Sequence, residues 1–127
     1  MVSDKGEKNI VRTFRDLKVW QKAHELVLQI YRVTNAFPVE EKYVLVSQVR
    51  RSVASIPTNI VEGFNRKTKK DYAHFINIAN SSLEETKYHI LLARDLGYIG
   101  ESDFNVLRGG CDEIGKMLYS FYRTLCS

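Results

Sequence analysis

Apolar side chains return along this chain at alternating steps of three and four, in four separate segments. The first holds Trp20, Ala23, Val27, Ile30 and Thr34, the second Val46, Val49, Val53, Ile56 and Ile60. A third runs Tyr72, Ile76, Ala79, Leu83, Thr86, Ile90, Ala93 and Gly97, and a fourth Leu107, Cys111, Ile114, Leu118, Phe121 and Leu125. Such spacing places one apolar seam on each of four helices, averaging the ~3.5 residues per turn of helices packed lengthwise. No segment alternates with the period of two that a half-buried strand requires.

The punctuation between the segments agrees. Thr13 or Asp16 is placed to cap a first helix that runs to about Asn35. Phe37-Pro38 breaks the chain, because proline disfavours helical geometry in the residue before it and suits the first turn of the helix after it. Glu40 and Glu41 then fall where a helix N-terminus attracts negative charge. Pro57 deletes one backbone donor inside the second helix, which predicts a kink rather than a stop because the apolar period continues beyond it. Gly63 is the expected C-terminal cap, Thr68 with Asp71 the start of the third helix, Gly97 and Gly100 a turn, and Ser102 or Asp103 the cap of the fourth. Long helices joined by short loops predict an all-α, antiparallel up-down-up-down four-helix bundle over residues 14–127, behind a flexible polar tail over 1–13.

Composition supports an ordinary folded chain. At 127 residues, 44% hydrophobic and 27% charged, it can bury a core without metal or disulfide support. No run approaches the ~20 apolar residues that span a bilayer, and the charged N-terminus lacks a signal-peptide core, so a cytoplasmic address without a membrane partner is expected. Cys111 and Cys126 lie about 22 Å apart on one helix and cannot bridge within it; both read as buried small hydrophobes.

Two patterns exceed what a monomeric bundle needs. A polar stripe, Gln48, Ser52, Ser55, Asn59 and Glu62, accompanies the seam of the second helix, either as a solvated face or as a hydrogen-bonded contact with another subunit or with phosphates. Gly109, Gly110 and Gly115 each cost up to about 1 kcal/mol inside a helix, which close approach of another helix would offset. Tolerance in a frayed first turn serves equally for Gly109 and Gly110.

Charge is concentrated in one place. From Gln48 to Lys70 six cations, Arg50, Arg51, Arg66, Lys67, Lys69 and Lys70, face a single carboxylate, Glu62, a net +5 in a chain that carries +4. Everything else sums to about −1. Repulsion at such density is relieved by an anion, and the phosphate backbone of DNA or RNA is the simplest one, bound without sequence readout and with steep salt dependence. The N-terminus of the third helix adds positive potential, and Phe64 and Tyr72 offer stacking surface.

Catalytic motifs are lacking. His24, His74 and His89 have no carboxylate or cysteine at metal-ligand spacing, and no glycine-rich loop suits a nucleotide, so neither metal nor cofactor is expected. Glu84 and Glu85 point about 100° apart and read as surface charge. A helical ribonuclease resembling toxins would place an arginine four to six residues before a histidine. Seven residues intervene between Arg66 and His74, one more than that pattern allows, and the cations that are in range, Lys67 among them, are lysines. The chain is read as non-enzymatic.

The segments FRDLKVWQKA (14–23), FPVEEKYVLVSQVRRSVASIPTNIVEGFNR (37–66) and KKDYAHFINIANSSLEE (69–85) together resemble the four-helix bundle family of 23S rRNA-intervening sequence proteins, over about residues 14–99. Val61 stands where members often have alanine, and Asn80 where many have glycine. The resemblance implies an antiparallel bundle that assembles into a ring, with a homopentamer favoured. It also implies kinship with the accessory variability determinant of diversity-generating retroelements, a basic pentameric barrel that binds nucleic acid and a reverse transcriptase. The expected function is therefore a non-catalytic, homo-oligomeric nucleic-acid-binding accessory protein, with a scaffold that docks a reverse transcriptase as the alternative. No catalytic residue is carried over from the family.

Overall fold

A computed structural model describes residues 10–127 and contains four helices: α1 (Lys18–Thr34), α2 (Leu45–Phe64), α3 (Lys69–Asp95) and α4 (Glu101–Cys126). Single 3-10 turns at Phe14–Asp16 and Val39–Glu41 precede α1 and α2. No strand occurs among the described residues. Residues 1–9 of the predicted tail lie outside the described residues, while Val11 is buried against the core. Each helix packs on two others, α1 on α2 and α4, and α3 on α2 and α4, so the four close around one apolar interior as a four-helix bundle. No helix among the described residues is long and apolar enough to cross a membrane.

The seams of α2 and α4 are buried where the periodicity places them, and α3 follows its pattern up to Ala93. Gly97 instead lies exposed beyond the helix end, at φ +81°, a left-handed conformation that glycine adopts without steric cost. In α1 the buried line is Val19, Ala23, Leu26, Ile30 and Thr34, and Trp20 and Val27 flank it half-exposed. The expected seam was one position off at two sites. Trp20 sits at the edge because its ring packs on Phe14 and His24, both at 5.0 Å.

Helix boundaries differ from expectation where local hydrogen bonds win. Thr13 and Asp16 form a capping box, but it closes the 3-10 turn, and an extended Leu17 separates that turn from α1. The amides of Thr13 and Arg12 hold the Asp16 carboxyl below its usual range. After Pro38 the chain makes one 3-10 turn and then a break at Val44, so α2 starts at Leu45. Helix α2 continues through Pro57 and does not end at Gly63; its cap is Asn65, whose amide nitrogen donates to the carbonyl of Val61. Gly100, without a side-chain bond, caps α4 in place of Ser102 or Asp103. At this end of the fold Tyr98 donates a 2.8 Å hydrogen bond to Glu41, tying the loop before α2 to the loop before α4.

The polar stripe of α2 turns mainly inward. The Ser52 hydroxyl is buried 2.9 Å from that of Thr86, and Ser55 lies 2.9 Å from Ser82, so the stripe joins α2 to α3. Asn59 donates back to the Ser55 carbonyl and hydroxyl. Only Gln48 and Glu62, at its ends, are exposed. Pairing is the condition on which such groups can leave water.

Gly63 is required for space. A Cβ there would stand 2.8 Å from Tyr72 Cδ1 and 3.1 Å from Phe75 Cβ, so α2 and the start of α3 meet at van der Waals distance only because no side chain intervenes. A Cβ at Gly115 would make an ordinary 3.4 Å contact with Leu83 Cδ2, and one at Gly109 would meet nothing within 4 Å. We therefore expect Gly63→Ala to lower stability by about 1–3 kcal/mol through overpacking, and Gly109→Ala to raise it by up to about 1 kcal/mol. Urea denaturation of the two variants checks both signs.

The cysteines differ from each other. Cys111 is buried and Cys126 exposed, which corrects the expectation for Cys126. Burial pushes the Cys111 thiol up to about 12 from its ordinary 9.0. That shift favours the fold below pH 9.0, and the contribution is lost as pH rises from there toward 12. A disulfide reagent at pH 8 should label one thiol in the native protein and two in urea. The urea midpoint of wild type should fall more steeply across the pH 9 to 12 window than that of Cys111→Ala.

Candidate nucleic-acid interface

The basic loop between α2 and α3 is short and held from both sides. Arg66 donates its amide to the Gly63 carbonyl at 3.0 Å, and the Thr68 hydroxyl accepts from the Asp71 amide at 3.1 Å, capping α3 as the sequence predicts. Beneath it the Phe64 and Tyr72 rings meet edge-on at 6.5 Å, and Tyr72 leans on Phe121 of α4 at 5.2 Å. Three helices thus converge under the loop. Tyr72 belongs to this core, and Phe64 is half-buried, so neither ring lies open as a stacking surface.

The structure divides the six cations of the sequence cluster into three kinds. Arg50 is committed to the fold: its Nε donates to Thr34 Oγ1 at 3.0 Å and its Nη2 to Asn35 Oδ1 at 3.1 Å and the Tyr31 carbonyl at 3.3 Å. Its guanidinium lies 4.4 Å from the Tyr31 ring centroid, so Arg50 fastens the last turn of α1 to α2. Arg51 is exposed on α2, about 20 Å along the helix from the loop. Arg66, Lys67, Lys69 and Lys70 form the third group, all exposed. Arg66 is shared, with Glu62 at 3.1 Å and the Phe75 ring at 4.5 Å. Lys67, Lys69 and Lys70 make no ion pair among the described residues. Three solvated ammonium groups within four positions, at the start of a 27-residue helix, create a local positive field that, among the described residues, has Asp71 and Glu62 as its neighbouring carboxylates in sequence.

Elsewhere the titratable groups are dispersed. Glu84 pairs with Lys87 at 3.4 Å and Glu85 with His89 at 3.3 Å, while the His24 ring stacks on Trp20. Among the described residues no group of three or more His, Cys, Asp or Glu side chains could hold a metal ion.

One feature near the loop was missed from sequence. Between α3 and α4 lies an open cleft of about 230 Å³, lined by Ile76, Asn77, Asn80, Leu118, Tyr119 and Tyr122. Tyr119 is 64% exposed, and Arg123 places its guanidinium 5.8 Å from the Tyr119 ring. The signal was present: Tyr119 and Tyr122 each follow a seam position, Leu118 and Phe121, and so share the helix flank beside the core.

The sequence model of the 23S rRNA-intervening sequence protein family matches residues 15–120. No curated protein matches the chain. Among solved structures, a protein of unknown function from the S23 ribosomal protein family of Bacteroides thetaiotaomicron is similar, with a TM-score of 0.77 and 28% sequence identity over 83% of this chain and 95% of that one. This chain belongs to the 23S rRNA-intervening sequence protein family.

Proposed function

We propose that the protein is a non-catalytic nucleic-acid-binding accessory protein that works as a homo-oligomer and contacts phosphates through the loop between α2 and α3. The observation that carries this reading is the group of Lys67, Lys69 and Lys70, exposed and without an ion pair among the described residues, beside Arg66 at the start of α3. Arg51 is a second, separate contact along α2. Arg50, called by the sequence as a phosphate contact, is assigned to holding α1 on α2.

An antiparallel, up-down-up-down order of helices strengthens the reading, and several contacts support it. Ser52 meets Thr86 while Ser55 meets Ser82, and Lys22 pairs with Glu113 at 3.8 Å while Leu26 lies under Gly110. In both pairs the partner's number falls as the first number rises. In this order Arg12, Arg15, Lys18 and Arg123 come to the same end of the bundle as the basic loop. The opposite end carries Glu40, Glu41, Asp95, Glu101 and Asp103 against Lys42 and Arg94, the latter paired with Asp95, while Asp16, Glu62 and Asp71 are acids at the basic end. A bundle so polarised presents one cationic pole, and assembly of several copies, a pentameric ring being favoured, multiplies weak phosphate contacts into firm binding.

The test is a salt series of binding to single-stranded DNA, duplex DNA and structured RNA by fluorescence anisotropy, with light scattering for the mass. We expect log Kd to depend steeply on log salt, and Lys67→Glu/Lys69→Glu/Lys70→Glu to reduce that slope by about 2 per protomer engaged. Arg50→Lys should leave the slope unchanged and lower stability by about 1 kcal/mol, as a lost fork of hydrogen bonds would. Flat salt dependence, or unchanged binding by the triple variant, overturns the function, and a monomeric mass overturns the assembly.

A further inference from the structure

The cleft between α3 and α4 combines three properties that the phosphate contacts do not use. Its outer wall carries two exposed phenol rings on α4, Tyr119 and Tyr122. Facing them on α3 are the side-chain amides of Asn77 and Asn80, neither of which makes a hydrogen bond among the described residues. The amides of Asn35, Asn59 and Asn65 all find partners within the chain. The floor is the apolar pair Ile76 and Leu118. Flat aromatic surface beside paired donor and acceptor groups suits a planar heterocycle whose edge carries the complementary pattern.

Charge leads to this place. Lys70, His74 and Asn77 are spaced four and three apart and so share one exposed face of α3, which runs about 10 Å from the basic loop to the cleft. On the other wall Arg123 lies one turn from Tyr119 and against its ring. A cationic approach on both sides disfavours a second copy of the same surface and favours a polyanion.

We propose that this cleft receives an unpaired base of single-stranded nucleic acid: Tyr119 and Tyr122 stack on it, Asn77 and Asn80 bond its edge, and Lys69, Lys70 and Arg123 hold the flanking phosphates. The inference rests on the phosphate-binding reading and assigns its substrate class. A base inside a duplex is stacked on both faces and paired at its edge, so it cannot enter. Single strands are therefore the preferred ligand.

The experiment uses a twelve-nucleotide strand with one 2-aminopurine, whose fluorescence is quenched on stacking, and its duplex as competitor. Wild-type protein should quench the single strand and bind the duplex more weakly. Tyr119→Ala/Tyr122→Ala should abolish the quench and weaken the single-strand Kd about tenfold, with the salt slope unchanged, because rings and not charges are removed. Tyr119→Phe/Tyr122→Phe should keep the quench, and Asn77→Ala/Asn80→Ala should narrow the differences in affinity between bases. Absence of quench with wild-type protein overturns the cleft as a base site even if the phosphate contacts stand. So does an intact Kd in the alanine variant, or a fall in its oligomeric mass with the quench retained, which would make the face a self-contact. Loss of salt dependence in wild type would instead remove the phosphate-binding reading beneath it.

Discussion

The ring of Tyr72 occupies the space that a side chain at residue 63 would fill, and the arrangement of the basic end depends on that contact. It brings the last turn of α2 against the first turn of α3, and the same ring then reaches Phe121 of α4. A loop of four residues can close the gap only because the helices are this near. Arg66 and Lys67 in the loop and Lys69 and Lys70 at the start of α3 are consequently compressed above an apolar floor. They cannot spread into solvent on a long flexible connection, nor fold back onto carboxylates of their own helices beyond the single Arg66–Glu62 pair. The field at this end follows from steric contact beneath it.

The interface between α2 and α3 contains hydroxyl pairs where a bundle of this size usually places aliphatic side chains. Ser52 with Thr86 and Ser55 with Ser82 favour one register, since a slide by one turn would break both hydroxyl–hydroxyl bonds, the first of them buried. Arg50 acts similarly between α1 and α2, with three donors spent on the last turn of α1. Apolar seams alone tolerate sliding, and these polar contacts do not. The separation of the lysines from the cleft beside Tyr119 is set by α3 itself, which carries Lys69, Lys70, Asn77 and Asn80.

Kinship with the 23S rRNA-intervening sequence proteins places the chain in a fold group without assigning its chemistry. The solved relative is itself a protein of unknown function. What the surface offers among the described residues is an uneven distribution of charge and an aromatic cleft flanked by lysines and an arginine. It is this surface that the proposed binding of a phosphate chain and its bases would use, through field and stacking.

Much of the fold was legible in the residues. Four apolar seams predicted four helices because burial on one face of a helix repeats every three to four positions, and every seam residue of α2 and α4 is buried. Thr68 announced its cap, since a hydroxyl before Asp71 satisfies an amide that the helix cannot. The sequence also located the positive charge. It did not tell Arg50 from Lys67, because the partners of Arg50 stand fifteen to nineteen residues away and become neighbours only when α1 lies on α2. Nor did it show that the polar stripe faces α3, that Gly63 serves contact rather than termination, or that Asn77 and Tyr119 line one cleft. Periodicity reports which face of a helix is turned inward, whereas the identity of what it meets there is a property of pairs distant in the chain, and only tertiary packing brings those pairs together.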